Sequence, residues 1–502
     1  MSALDTIVAV STPPGRGGIG IVRLSGPEAL TLAPQLLHLH HSLAAPEAHA
    51  RAHFARVRDP EVPADPARAL DDCLVTAFHA PRSYTADDLV EIATHGSPVI
   101  LDALLRHALA VGERLNLAVR LAGPGEFTQR AFLAGRLDLT QAEAVHDLIA
   151  AQTLHQARVA AQQLGGALSR RVAPAKDVLL HLIALLEAGM DFASGELDDV
   201  DVVPPAQIAD FIARVRTPLE ALAATFHRGQ LLRNGAAIAL IGRPNAGKSS
   251  LFNRLLDRDR AIVTPIAGTT RDTLEEALSL AGIPLRLIDT AGLRTHDEHH
   301  ATAPDPVEAL GIARTHETLA DADLILLVHD ATQPFTADDQ QLLTTIADRP
   351  HLVIRNKIDL APASDAATQP QRTAAERNAD SSALVFVETA VPISSEDHLP
   401  RLHTSAITGE GLDALRDAIL AQLNAAGSLA DSGLLNNLRQ QQAVTDTLAA
   451  LTAAAAANTS ALPHELILLD LHTALRALDS LTGTTTADDI LARIFSTFCI
   501  GK

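Results

Sequence analysis

Gly242-Arg-Pro-Asn-Ala-Gly-Lys-Ser249 decides the fold of the central part of this chain. The apolar run 237–241 precedes it and a helix-forming stretch, 250–256, follows it, so the loop is predicted to connect a strand to a helix. The backbone N–H groups of such a loop and the dipole of the following helix together bind phosphate. Lys248 is expected to reach the outer phosphates, and the hydroxyl of Ser249 suits magnesium. For the octapeptide alone, a glycine-containing turn without a ligand is the alternative.

Two polar segments downstream fit the switch regions of a nucleotide-binding domain. Gly268-Thr-Thr-Arg-Asp272 offers Thr270 as a second magnesium ligand. An apolar stretch leads into Asp289-Thr-Ala-Gly292, whose aspartate would hold the ion through water. The backbone N–H of Gly292 would follow the terminal phosphate. These segments predict a magnesium-dependent phosphate site.

Recognition of a guanine base is predicted from Asn356-Lys-Ile-Asp359, which follows the apolar strand 352–355. Asp359 can accept hydrogen bonds from N1–H and the exocyclic amine of guanine, a donor pattern that adenine lacks. Thr404-Ser-Ala406, in a later loop, is expected to close the pocket over the base. Asn-Lys-x-Asp alone is a weak signal, but four ordered motifs together predict a Ras-like P-loop domain that binds GTP.

Composition favours a soluble intracellular protein. The 502 residues allow about three domains, and a hydrophobic content of 47% supports sizeable cores. The two cysteines, Cys73 and Cys499, imply no disulfide framework. Because no apolar run reaches about 18 residues and no basic-plus-apolar leader is present, we expect a cytoplasmic location. The formal net charge of −20 argues against broad electrostatic adhesion to RNA or lipid.

The regions around the GTPase differ in pattern, which predicts a multidomain α/β and α protein. Residues 1–135 form an N-terminal α/β domain, with a helix over 98–112 and strands at 5–10, 20–24, 73–78 and 88–93. Residues 136–232 and 427–502 are almost wholly helical, and the GTPase domain occupies 233–426. The simplest arrangement is a discontinuous helical domain with the GTPase inserted between its halves.

Some patterns are not assigned a function. Gly15-Arg-Gly-Gly-Ile-Gly20 matches a dinucleotide-binding fingerprint, but Pro13-Pro14 precedes it and a strand follows it. A glycine-rich connection between strands, able to bring Arg16 or Arg23 to a ligand, is the better interpretation. Thr295–Pro306 and Ala361–Leu399 are rich in Ala, Asp, Ser, Pro and His and are expected to be mobile insertions.

Several features together carry a resemblance to a known family. They are the GTPase flanked by helices, Thr12-Pro-Pro-Gly-Arg-Gly-Gly18, Gly123-Pro-Gly-Glu-Phe-Thr128 and Phe498-Cys-Ile-Gly-Lys502. Over nearly the whole chain they closely resemble the MnmE family, also called TrmE. The resemblance implies a homodimeric GTPase that works with the flavoprotein MnmG, as a heterotetramer, on the wobble uridine of certain tRNAs. It also implies addition of an aminomethyl or carboxymethylaminomethyl group at carbon 5, with 5-formyltetrahydrofolate or a related tetrahydrofolate as one-carbon donor.

The resemblance assigns nucleotide and cation contacts to matching positions. Asn245 would ligate potassium together with Thr264, Ile266 and Thr269, while an ordinary polar loop residue is the alternative for Asn245. Potassium would supply positive charge where charge develops on the β–γ bridge, in place of an arginine finger. The full GTP-binding set comprises Asn245, Ala246, Gly247, Lys248, Ser249, Ser250, Thr264, Pro265, Ile266, Ala267, Gly268, Thr269, Thr270, Asp289, Thr290, Ala291, Gly292, Asn356, Lys357, Ile358, Asp359, Ser405, Ala406 and Ile407.

Ras-like proteins orient the attacking water with a glutamine, but this chain carries Leu293 at that position. A leucine side chain cannot polarise water, so another group must orient it. The family uses a glutamate further along the second switch, which makes Glu308 the candidate. The connection from Leu293 is longer than the family's usual pattern, so Glu298 is a rival, and a solvated helix residue is the alternative for Glu308. Among further catalytic candidates, Lys248 would act at the phosphates and Arg294 would assist the switch.

The N-terminal domain resembles a tetrahydrofolate-binding fold. Arg23, Glu91 and Arg136 match ligand-contacting positions, with Arg136 where lysine is common. A carboxylate such as Glu91 can pair with the pterin edge, and arginines can hold the glutamate tail; surface salt bridging is the alternative. Lys502 and Cys499 belong to a tail expected to reach this region. Cys499 is a candidate nucleophile, with a structural role as the alternative.

The residues are also compatible with two other functions. One is a regulatory RNA- or ribosome-binding GTPase switch without modification chemistry, which a KH or OB domain would favour. The sequence shows neither domain. The other is a folate-dependent transferase with a vestigial GTPase, which the intact set of Lys248, Ser249, Thr270 and Asp289 disfavours.

Overall fold

A computed structural model describes residues 5–62, 65–193, 203–259, 275–289, 322–360, 401–423, 433–483, 491 and 494–501. The chain forms two compact units. The first joins Met1–Ala150, Arg158–Phe226 and Ser432–Lys502, and the second joins Ala151–Ala157 and His227–Asp431. The domain boundaries predicted after residues 135, 232 and 426 divide the chain more finely and remain a prediction. The insertions predicted at 295–306 and 361–399 lie outside the described residues.

The first unit opens with a mixed sheet. Its strands are β1 (Thr6–Val10), β2 (Gly17–Ser25), β3 (Leu37–His38), β4 (Ala52–Val57), β5 (Asp71–Phe78), β6 (Leu89–Gly96) and β7 (Val119–Leu121). They lie in the order β3-β4-β5-β6-β2-β1-β7. The helices α1 (Ala29–Leu36) and α2 (Pro98–Arg114) share one buried core with these strands, through residues such as Leu24, Val75 and Leu104. The predicted N-terminal strands and helix are confirmed, and β2 begins within the glycine-rich segment.

The described residues contain eleven further α-helices, all of which follow β7 in sequence. Their bounds are α3 (Glu126–Leu133), α4 (Leu139–Ala150), α5 (Leu154–Leu164), α6 (Ala167–Ala193), α7 (Pro205–Ala223), α8 (Phe226–Asn234), α9 (Lys248–Asp259), α10 (Ala337–Ile346), α11 (Leu412–Gln422), α12 (Leu438–Thr459) and α13 (His464–Thr482). Leu179 of α6 and Ile212 of α7 share a single apolar core with Leu451 of α12 and Leu471 of α13. Since these helices come from both sides of the GTPase in sequence, the predicted discontinuous helical domain is confirmed.

The second unit contains the predicted P-loop sheet. Its strands are β8 (Ala236–Ile241), β9 (Glu275–Leu280), β10 (Ile283–Asp289), β11 (Leu324–Asp330), β12 (His351–Asn356) and β13 (Arg401–His403). They lie in the order β13-β12-β11-β8-β10-β9, and all neighbouring pairs are parallel except β9 with β10. The carboxyl ends of parallel strands meet at one edge of a sheet, which is where ligands of such folds bind. The loops after β8, β11, β12 and β13 therefore meet at this edge.

Among the helices that the structure describes, none combines the length and the apolar character needed to cross a membrane.

Candidate functional site

Two glycines shape the loop between β8 and α9. Gly242 has φ +144°, and a Cβ there would stand 2.1 Å from the backbone oxygen of Val328. Gly247 has φ +89°, and a Cβ there would stand 2.3 Å from Nδ2 of Asn356. Both positions combine a backbone conformation that favours glycine with close approach of another strand end. The loop is thereby drawn against the ends of β11 and β12.

Lys248 is held within this loop. Its side chain is buried, and Nζ donates to the backbone oxygens of Gly242 and Arg243, each at 2.8 Å. Asn245 is exposed at the bend of the loop with φ +60°, and Ser249 and Ser250 are exposed at the start of α9. The predicted phosphate-binding residues thus belong to one loop and the start of α9. The ammonium group of Lys248 lies inside the loop, and the side chains of Asn245, Ser249 and Ser250 are exposed.

Asn356 joins three loops. It is 0% exposed, and Nδ2 donates to the backbone oxygen of Ala246 at 3.1 Å. Its Oδ1 accepts the backbone N–H of Ala406 at 3.1 Å and the hydroxyl of Thr404 at 3.4 Å. A buried amide with its donor and acceptor both engaged fixes the geometry of its surroundings. The structure therefore brings the phosphate loop, the Asn-Lys-x-Asp segment and the 404–406 loop together.

The other residues of the predicted base site lie around this cluster and differ in exposure. Asp359 is exposed within the short 3₁₀ turn Ile358–Leu360, and Ile407 is 72% exposed. Ile358 donates its N–H to the backbone oxygen of Thr404 at 3.3 Å, and Ser405 is fully buried. Asp359 is therefore accessible to a base placed between the two loops.

Lys357 and Asp330 form an ion pair beside this cluster, at 2.7 Å between Nζ and Oδ2. Lys357 has φ +66°. Burial alone would raise the pKa of Asp330, but hydrogen bonds from Lys357 and from Thr332 outweigh it and lower the pKa below its usual value. The carboxylate is thus ionised at neutral pH.

Part of the predicted site lies outside the described residues, including both switch segments. These positions are Thr264, Pro265, Ile266, Ala267, Gly268, Thr269, Thr270, Thr290, Ala291, Gly292, Arg294, Glu298, Glu308 and Lys502. Asp289 is the last residue of β10, and this strand pairs in parallel with β8, which leads into the phosphate loop. The backbone therefore brings Asp289 to the same edge of the sheet.

A second polar cluster lies on the N-terminal sheet. Arg23 of β2 faces Glu91 of β6 in the strand register, and their side chains meet at 2.6 Å between Nη2 and Oε1 and at 3.0 Å through Nε. The guanidinium carbon lies 5.5 Å from the ring centre of Phe127 and 5.9 Å from that of Tyr84. Both distances fall within cation–π range. The pair remains partly exposed, at 17% for Arg23 and 27% for Glu91.

The end of the chain reaches the same cluster. The backbone oxygen of Gly501 accepts from the Ser11 hydroxyl at 2.9 Å and from Nη1 of Arg23 at 3.4 Å. Ile500 forms an antiparallel bridge with Pro124. Gly501 has φ +93°, and a Cβ would stand 2.3 Å from the backbone oxygen of Val10. The expectation that the tail reaches the Arg23–Glu91 region agrees with these contacts.

Arg136 and the two cysteines lie elsewhere around this unit. Arg136 is exposed and donates Nη1 to the backbone oxygen of Pro81 at 3.3 Å. Within the described part of the chain it forms no hydrogen bond or ion pair with Arg23 or Glu91. Cys499 is exposed, whereas Cys73 is buried in the sheet core. Burial, assisted by the charges of Asp71 and Asp72, raises the pKa of the Cys73 thiol to about 12. Cys73 is therefore a core residue and not a nucleophile.

Sequence reasoning missed three contributors to these sites. Tyr84 and Phe127 stack beside Arg23, and Asp330 binds Lys357. Asp330 carried a usable signal, because an acidic residue two positions after the apolar run 324–328, at the end of the same strand, must lie at the edge where the loops meet. The two aromatic residues carried no comparable signal, since their approach to Arg23 depends on how separate segments pack.

Family models match consecutive parts of the chain. The model described as GTP-binding protein TrmE N-terminus matches residues 6–136. The model described as MnmE helical domain matches residues 139–499. The second match spans both helical segments and the sequence between them.

Relatives named tRNA modification GTPase MnmE are similar to this chain along its length. The Koribacter versatilis protein is 50% identical over 504 residues, covering 100% of each chain. The Chloroflexus aurantiacus protein is 41% identical, covering 99% of this chain and 100% of the relative. The Listeria innocua protein is 38% identical, covering 99% of each. The chain therefore belongs to the MnmE family of tRNA modification GTPases.

Proposed function

We propose that this protein is a potassium-dependent GTPase that acts with the flavoprotein MnmG on the wobble uridine of certain tRNAs. GTP hydrolysis would drive addition of an aminomethyl or carboxymethylaminomethyl group to carbon 5, with a tetrahydrofolate supplying the one-carbon unit. Family membership supports the proposal. The observation that carries the nucleotide part is the buried Asn356 amide, which joins the phosphate loop to two loops of the predicted base site.

The phosphates would bind the backbone N–H groups of residues 242–249 and the N-terminus of α9. Lys248 already lies in the loop, so little side-chain freedom is lost when its ammonium group meets a phosphate. Magnesium, when bound, would neutralise the outer phosphates, with Ser249 and Thr270 as ligands and Asp289 acting through water. The exposed position of Ser249 at the start of α9 fits this role.

Asn245 would hold potassium, together with Thr264, Ile266 and Thr269. Its exposed amide stands at the outer bend of the phosphate loop, which fits a residue that presents an oxygen to a cation beside the phosphates. The cation would supply positive charge at the β–γ bridge. Glu308 would orient the attacking water, with Arg294 assisting the switch.

The folate would bind at Arg23, Glu91, Arg136 and Lys502. The partly exposed Arg23–Glu91 pair, the rings of Tyr84 and Phe127, and the backbone of Gly501 give the region both charged and aromatic partners. A carboxylate can bind the amino-pyrimidinone edge of a pterin, and an arginine can bind the carboxylates of its tail. This donor set fits a tetrahydrofolate. Cys499, exposed in the same tail, is the candidate nucleophile.

The protein is proposed to act as a homodimer through its N-terminal domain, with tRNA and MnmG as partners. Phe54 of β4 and Leu74 of β5 stand opposite each other in the strand register and are 52% and 51% exposed. An exposed apolar pair on a sheet face supports an interface there.

Mass spectrometry of tRNA nucleosides from a deletion strain tests the proposed function. We expect the deletion strain to lack the carbon-5 modification of wobble uridine, the unmutated gene to restore it, and Lys248→Ala to fail to restore it. Full modification in the deletion strain would contradict the proposal and favour a regulatory GTPase switch.

A further inference from the structure

Asp330 ends β11 at the edge of the sheet where the nucleotide loops meet. It pairs in register with Asn356, and the N–H of the next residue, Ala331, donates to the backbone oxygen of Asn356 at 2.8 Å. The Asp330 carboxylate is fixed on both oxygens. Oδ1 accepts the N–H of Thr332 at 2.9 Å and its hydroxyl at 2.7 Å, while Oδ2 accepts Nζ of Lys357 at 2.7 Å.

The Lys357 side chain runs between this carboxylate and the phosphate loop. Its Cε lies 3.7 Å from where a Cβ would stand on Gly247, so the stem passes alongside that glycine. The two side chains are 28% exposed for Lys357 and 17% for Asp330. An unrestrained lysine on the surface samples many rotamers, and fixing them on binding weakens affinity. The ion pair removes that freedom before a ligand arrives.

We propose that Asp330 is a positioning residue for guanine-nucleotide binding, which holds the Lys357 stem beside the phosphate loop as a preformed wall of the base site. This proposal rests on the proposed binding of guanine by residues 356–359. Asp330 itself touches no part of the nucleotide. Asp330 acts by holding Lys357 in place. It therefore affects the affinity for the nucleotide and not the rate of hydrolysis at the γ-phosphate.

Asp330→Asn tests the proposal. The two donors of Thr332 and the ammonium group of Lys357 together occupy both oxygens of the carboxylate, whereas an asparagine amide has a single acceptor oxygen. We expect the Kd for GDP and the KM for GTP to rise about ten-fold, the effect of losing one partly exposed charged hydrogen bond. The kcat should stay within about two-fold of wild type, since the change precedes the chemical step. Asp413→Asn is the matched control, because Asp413 makes an ion pair with Arg416 on α11 at 2.9 Å and has an 85% exposed side chain.

Two further comparisons separate positioning from a general structural effect. Inosine diphosphate lacks the exocyclic amine of guanine, so Asp330→Asn should weaken GDP and inosine diphosphate equally, whereas Asp359→Asn should weaken GDP more. In a double-mutant cycle, Asp330→Asn should add little to Lys357→Met, because both changes remove the same positioned stem. Fully additive losses would overturn the proposal.

The outcomes also separate this proposal from the proposed function. If Asp330→Asn matches the Asp413→Asn control while Asp359→Asn alters nucleotide preference, the positioning role is wrong and guanine binding stands. If Asp359→Asn has no effect, guanine binding by this segment is itself wrong. Should Asp330→Asn fail to fold, Thr332→Val removes only the hydroxyl donor to Oδ1. It should raise the KM for GTP about three-fold, and an unchanged KM would overturn the proposal.

Discussion

The side-chain amide of Asn356 donates to the backbone oxygen of Ala246 at 3.1 Å and so ties the end of β12 to the phosphate loop. The same side chain accepts the N–H of Ala406 at 3.1 Å. The spacing between the predicted phosphate and base loops is therefore set by one buried group. A change that displaces this amide should disturb both loops together.

Gly247→Ala is such a change, because its Cβ would stand 2.3 Å from Nδ2 of Asn356 and the residue has φ +89°. We expect the Kd for GDP to rise at least ten-fold, roughly the effect of 1.4 kcal/mol. Calorimetric titration measures the affinity, and thermal unfolding reports the lost stability. Gly189→Ala is the control, because no heavy atom lies within 4 Å of a Cβ placed there. Wild-type affinity in Gly247→Ala would argue against the assigned site.

The local patterns of the sequence were sufficient for much of the fold. The run 237–241 is buried as β8, and Gly242 and Lys248 stand where a strand–loop–helix motif requires them. In contrast, β4 was not predicted from the sequence. Ala52–Val57 contains a histidine and an arginine, and half of its residues are exposed, so it lacks the apolar pattern of a buried strand. Its strand conformation depends on pairing with β5, a partner that a local pattern does not reveal.

The candidate sites were predicted as sets of residues but not as sets of contacts. Asn356 was expected in the base site, yet its bond to Ala246 joins residues far apart in sequence. The meeting of Gly501 with Arg23 likewise depends on packing of the two ends of the chain. Side-chain hydrogen bonds between distant segments follow from tertiary structure, so motif order alone does not specify them.

Asn245→Ala tests the cation proposal. We expect GTP turnover by the unmutated protein to be at least about ten-fold faster in potassium than in sodium at equal ionic strength, because a fixed cation stabilises charge that develops in the transition state. The variant should lose this difference while its GDP affinity stays close to wild type. Phosphate release in matched chloride salts is the measurement. Equal rates in both salts for the unmutated protein would exclude potassium dependence.

Arg23→Ala tests the proposed folate site. Loss of a charged partner should raise the Kd for 5-formyltetrahydrofolate about ten-fold or more. GTP turnover by the isolated protein should not change, because Arg23 belongs to a unit with its own core. Arg56→Ala is the control, since Arg56 makes an exposed ion pair with Asp72 on the same sheet at 3.1 Å. If both variants bind the folate equally well, the ligand lies elsewhere.

Glu308→Ala tests the assignment of the residue that orients water. The variant should bind GTP normally and hydrolyse it about a hundred-fold more slowly, because the contribution appears only in the transition state. Single-turnover hydrolysis separates these two steps. Wild-type turnover would shift the role to Glu298. Slow turnover with fully modified tRNA in cells would mean that hydrolysis does not drive modification.

The central claim is that residues 356–359 recognise guanine, and the nucleotide preference of Asp359→Asn tests it most directly. Xanthosine triphosphate carries a 2-oxo group where GTP carries an amine, so it suits an amide donor at this position. Calorimetric titration of both nucleotides should show the Kd for GTP rising about a hundred-fold and xanthosine triphosphate becoming the preferred ligand. Unchanged GTP affinity, with no gain for xanthosine triphosphate, would contradict the account.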